Sequence, residues 1–234
     1  MTMLRLNLSS LSLSDLHQCV QLEEIDFPWE AELKPETVPL TALEQQQIQQ
    51  VLLHIVQEKV HLFNEATIWA RAIYPLMMLA EQGQVRAWAE VAVAASYGHF
   101  YLEGVVDGVL GQSVWGRLET PYLVMVEATR GVAGHNPVFQ LYGQLLAAAQ
   151  MNWGSGYGNG ADPQTVFGCY TIADTWTFVR ARVTGLESER PRLQVMASRE
   201  YGEKTEAVAI VQILKAIVGY CLTQPLSHPP ARFM

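Results

Sequence analysis

The sequence predicts an α/β (α+β) fold, a mixed central sheet flanked by helices. Three observations carry that prediction. Apolar residues recur at helical intervals over 41–79, the period drops to two over 85–93, and a compact apolar strand at 122–126 is followed by another helical stretch. Taken in order the elements run α-α-β-β-β-α-β-β-α, which places a sheet against helical layers.

The first 38 residues are mixed, and 15–24 reads as one short helix stopped in the region of Pro28 and Pro35. Thr41 and Glu44 have capping-box spacing, and Ile48, Val51, Leu52, Ile55 and Val56 then keep a helical period. A second helix starts near Asn64, carries Ile68, Ala72, Ile73, Leu76 and Leu79, and ends near Gly83. Val85, Ala87, Ala89, Val91 and Val93 next alternate with Arg86, Trp88 and Glu90, the mark of a strand. Residues 100–110 form a second strand, interrupted by Gly104. The run 122–126 reads as a central buried strand. A helix over 136–151 directs Phe139, Leu141, Leu145 and Leu146 to the core. Strands over 166–171 and 176–183 pair through the Ala173-Asp174 turn. Residues 185–204 are polar and carry no assignment, and 206–222 closes the chain as an amphipathic helix. Residues 1–60 are expected as a helical extension packed on a core of 61–234, a single domain overall.

Composition narrows the function. The chain has 234 residues, half of them hydrophobic and 16% charged, which fits a buried core rather than a disordered chain. Its formal charge of −8 argues against a protein that coats nucleic acid through many phosphate contacts, though a local basic groove remains compatible. Cys19, Cys169 and Cys221 are far apart and match no zinc spacing, so they read as reduced thiols. The N-terminus alternates apolar and polar residues and lacks a leader pattern. The run from Ala207 is broken by Gln212 and Lys215 and is too short to span a bilayer. A cytoplasmic protein with no membrane partner is expected, and the apolar fraction suggests a homodimer.

The chemistry concentrates in residues 102–148. Asp107 ends one apolar strand, and Glu127 ends the next, twenty positions later. Two carboxylates side by side on neighbouring strands suit a hard divalent cation. Plainer readings stand beside this one. Asp107 before Gly108 also fits a turn, Glu127 could pair with Arg130, Arg71 or Arg180, and Glu65 could complement a helix dipole. Gln140 and Gln144 lie one helical turn apart, which on its own fits a solvated helix face. The glycine-rich loop around 154–160 lacks the Gly-Lys-Ser/Thr of a phosphate cradle. His54 and His61, seven apart on one helix, lack zincin spacing.

Four segments together resemble the PD-(D/E)XK nuclease superfamily, the restriction-endonuclease-like fold. They are NEATIWARAIYPLM with Glu65, LEGVVDGVLG with Asp107, YLVMVEATRG with Glu127, and FGCYTIADTWTFVRA, covering roughly residues 60–185. The likeness is to small bacterial proteins related to the N-terminal domain of type I restriction subunits. It implies Mg2+ held by Asp107, Glu127, the Ala128 carbonyl and Glu65, with DNA as substrate or partner. It also implies a catalytic lysine two residues after Glu127, where this chain has Thr129. Gln140, Gln144 and Arg130 would be accessory groups. No lysine lies between positions 60 and 203 to replace the missing one. Three functions follow: a catalytically degenerate nuclease-fold protein acting by binding or as a subunit, a Mg2+-dependent DNA endonuclease with a displaced cation, and a structural or regulatory homo-oligomer.

Overall fold

A computed structural model describes residues 3–129 and 136–224. It is a curled mixed sheet of eight strands with helices on both faces. The strands are β1 (Leu4–Asn7), β2 (Gln21–Ile25), β3 (Val85–Ser96), β4 (Phe100–Val114), β5 (Arg117–Thr129), β6 (Gln164–Ile172), β7 (Thr175–Thr184) and β8 (Arg192–Gly202). Their order is β1-β4-β5-β6-β7-β8-β2, with β3 paired to β4.

The two-residue alternation built β3, and the apolar run at 122–126 became the buried centre of β5. Strand β4 is the hub. One edge pairs antiparallel with β3 along nearly its whole length. The other edge is shared, by β1 in parallel over Phe100–Glu103 and by β5 antiparallel from Gly108 onward. Residues 104–107 between them pair with neither, so the sheet opens at the middle of β4. Strand β5 then pairs in parallel with β6 through the crossover helix α5 (Pro137–Gly154).

One face is covered by α2 (Ala42–Leu53), α3 (Glu65–Ile68), α4 (Tyr74–Met78) and α6 (Glu203–Leu222). The other carries α5 and α1 (Leu13–Cys19). Thr41 and Glu44 form the expected capping box of α2, and Ser12 with Asp15 forms another on α1. Each satisfies backbone N–H groups that the first helical turn leaves without partners. All three cysteines are free and buried. Helix α6 is long and apolar enough to cross a membrane, yet its Ile210, Val211, Leu214 and Ile217 are buried in the sheet core.

Several expectations need correction. Residues 15–24 are not one helix: α1 ends at Cys19, Val20 turns extended, and Gln21–Ile25 pairs with β8. The first 60 residues are thus not only helical, since they supply both β1 and β2 to the sheet. The unassigned stretch before α6 holds β8, a full strand between β7 and β2. Helix α6 takes in a first turn from Glu203, ahead of the expected 206, and non-helical φ/ψ at Glu206 kinks it before the regular helix runs on. His54 and His61 do not share a helix, as α2 stops at Leu53 and His61 lies in a separate 3-10 turn.

Candidate functional site

The opening in β4 collects the carboxylates. Glu65 is the first residue of α3, fixed by Asn64, whose side chain accepts the Thr67 N–H at 2.8 Å. A π-helical turn, Trp69–Ile73, follows directly and carries Trp69 to the same opening. Gly108 permits this approach: a Cβ there would lie 2.3 Å from the Trp69 ring.

Strand β3 contributes a residue the sequence reading passed over. Glu90 has φ of +51°, the left-handed region, inside an otherwise extended strand. Pairing runs Ala89 with Gly108 and Val91 with Val106, so the ladder passes over Glu90 and Asp107 while keeping its register. Asp107 leaves the ladder here and its Oδ2 accepts the Ala128 N–H at 2.8 Å. Irregular pairing of this kind re-aims a side chain at the edge of a sheet opening. Folding the two strands about the 97–100 turn would have placed 90 opposite 107, a signal available in the sequence.

Glu127 projects to the opposite face of β5 from Ala128, under α5. It is 6% exposed, and its Oε2 accepts a 2.6 Å hydrogen bond from Gln144, itself wholly buried. Gln140 lines the cleft and also stabilises the ionised Glu127. Both glutamines therefore face the carboxylates rather than solvent. Thr129 Oγ1 donates to Glu65 Oε1 at 3.5 Å. The Thr129 carbonyl accepts the Ala173 N–H toward β6, so strand alternation turns the Ala128 carbonyl to the cleft side. Arg130 lies outside the described residues.

Two adjoining cavities result. One, of about 320 Å³, is lined by Ser9, Glu65, Asp107, Glu127, Thr129 and Gln140. The other, of about 440 Å³, is lined by Glu65, Trp69, Glu90 and Asp107. Asp107, Glu65 and Ala128 belong to both. Among the described residues neither lining includes a lysine or arginine. Arg180 is engaged by Glu32 at 2.6 Å, and Arg71 lies over the Phe63 ring, so neither offers Glu127 the ion pair considered from the sequence. Lys204 pairs with Asp174 and Lys215 with Glu44.

Electrostatics follow from this crowding. Burial and then the Asp107 carboxylate push Glu127 up to about 8, against the hydrogen bonds from Gln144 and Gln140. Asp107 is raised by burial and by Glu65 and Glu90, with the Ala128 N–H opposing. Among the described residues no three His, Cys, Asp or Glu side chains stand close enough to enclose an ion. Several carboxylates nevertheless share the cleft, and oxygen donors of this kind are the ligand type a hard cation takes. Models of known protein families and curated protein sequences gave no match to this chain.

Proposed function

We propose that this protein has a PD-(D/E)XK nuclease-like fold, has lost phosphodiester hydrolysis, and acts by binding or as a subunit of a larger assembly. A divalent cation such as Mg2+ in the acidic cleft, and DNA as the partner, belong to this reading. One observation carries it: the succession of helix, β3, β4, β5, α5 and β6 draws Asp107, Glu127 and Glu65 to one opening, with Thr129 where a lysine would stand.

Asp107 and Glu127 would hold the cation, with Glu65 and the Ala128 carbonyl beside them. When bound, Mg2+ would neutralise the carboxylates and offer its remaining positions to phosphate oxygens. The chain's own groups would orient it, Gln144 fixing Glu127 and the Ala128 N–H fixing Asp107. What is missing is the donor that steadies an attacking water and the charge growing on phosphate. Thr129 is committed to Glu65 and carries no charge. Loss of such a donor costs on the order of 10²–10³ in rate, by analogy with deleted oxyanion-hole donors.

Calorimetric titration with Mn2+ and a cleavage assay on single- and double-stranded DNA test the reading together. Heat at ~millimolar metal is expected in the wild type and should vanish in Asp107→Ala. No cleavage is expected, and Thr129→Lys should introduce it if the rest of the site is sound. Wild-type cleavage abolished by Asp107→Ala or Glu127→Ala would overturn the loss of hydrolysis. Absence of metal heat would remove the cation site.

A further inference from the structure

Strand β3 has one unpaired edge, and its two halves treat that edge differently. Strand alternation decides which backbone groups point outward. In the first half, the Ser113 N–H donates to the Gln84 carbonyl, so Gln84 and Arg86 face β4 while Val85 and Ala87 face away. Those outward groups are all taken. The Val85 N–H donates to the Gln82 carbonyl at 2.8 Å, and the Val85 carbonyl accepts from Arg86 at 2.7 Å. The Ala87 N–H donates to Glu81 at 3.0 Å, and the Ala87 carbonyl accepts from the Tyr74 hydroxyl at 3.0 Å.

Beyond Glu90 the parity reverses. The Tyr97 N–H donates to the Phe100 carbonyl at 2.9 Å, so residues 91, 93 and 95 face β4, and 92, 94 and 96 face outward. Among the described residues no side chain caps these outward groups. The side chains of Ala92, Ala94 and Ser96 are themselves small and exposed, and shelter nothing. The segment from Val91 to Ser96 has no charge and no proline, two of the usual means of blunting an edge.

We propose that this half of β3 joins a second copy of the chain, antiparallel, across a two-fold axis at Ala94. The two eight-stranded sheets then become one. The self-complementary run of small, neutral side chains favours this occupant. The pairing sets Ala94 against Ala94 and Ala92 against Ser96 of the other copy, so small neutral residues meet and the net negative charge lies elsewhere. It also brings Glu90 toward the Gly98–His99 turn of the other copy. A foreign strand would need side-chain pockets for specificity. The clefts at the carboxylates, at Arg71 and at Tyr157 do not reach residues 91–96. This inference does not depend on the metal reading.

Light scattering on the full chain across a dilution series tests it. The expected mass is twice the 26.1 kDa of one chain, falling to a single chain on dilution. Ala94→Lys sets like charges together and should weaken self-association ~100-fold, with circular dichroism unchanged and melting equal to that of the diluted, single-chain wild type. Ala92→Lys should act likewise should the first variant misfold. Ala94→Cys should cross-link under mild oxidation, because a hydrogen-bonded antiparallel pair brings Cα atoms to about 5.5 Å. A single-chain mass at every concentration overturns the proposal. So does a dimer that both lysine variants leave intact, or capture of an unrelated strand by a chain that stays single.

Discussion

Glu127 and Glu203 are both buried carboxyls raised above the usual range, one beside an open cleft and the other sealed in the core. Glu203 opens α6, is fully buried, and is pushed up to about 7 chiefly by burial, with Asp174 adding to it. Its Oε2 accepts the Trp176 indole N–H at 3.0 Å, and its Oε1 has no partner among the described residues. Glu127 lines a cleft, and a second carboxylate, Asp107, adds to the effect of burial. The contrast separates two uses of a displaced pKa. A sealed acid records the packing around it. An acid pressed against other acids, beside an open cleft that no described lysine or arginine lines, records their mutual repulsion as well.

The comparison can be broken hardest at Trp176. The ring is fully buried beneath β6 and α6, and Trp176→Ala should lower stability by about 3–5 kcal/mol in urea unfolding, leaving Glu203 without its donor. The second change is Glu203→Gln. A carboxyl raised from 4.5 to about 7 holds its proton more tightly in the folded state. Its contribution is fully present below pH 4.5 and lost as pH rises through about 7. That loss amounts to about 3 kcal/mol. Unfolding curves from pH 4 to 8 should show this decline, and Glu203→Gln should flatten that part of it. The third and smallest effect sharpens the other half. In metal-free protein, Asp107→Asn removes a like charge, so Glu127 should titrate lower by carboxyl NMR while Glu203 stays in place. An unmoved Glu127 would mean that burial alone raises it.

Much of the fold was legible because the signals were local. The capping box at Thr41, the alternation of β3, the apolar core of β5 and the β6–β7 hairpin each lie within a short window. The candidate site was partly legible for the same reason. Glu127 stands near the end of β5 as expected, and Gln140 and Gln144 share one helix face, whereas Asp107 lies in the middle of β4 rather than ending a strand. Glu90 escaped notice because it keeps the alternation of its strand. The sequence pattern is uniform from Val85 to Val93, yet Val85 and Ala87 pack in one core layer and Val93 in the other. The left-handed residue between them turns the strand over.

The sequence by itself determined the helical and strand periods, the helix starts at Thr41, Asn64 and Asn136 and the order of elements through the core, because these rest on backbone preferences and on nearest neighbours. The tertiary structure decided the rest. Strands β1 and β2 exist because distant partners complete their hydrogen bonds, Leu4 with Phe100 and Gln21 with Arg192. Four or five residues cannot announce such pairing on their own. The gathering of Glu65, Glu90, Asp107 and Glu127 around one opening was likewise settled only when β1 and β5 divided the edge of β4 between them.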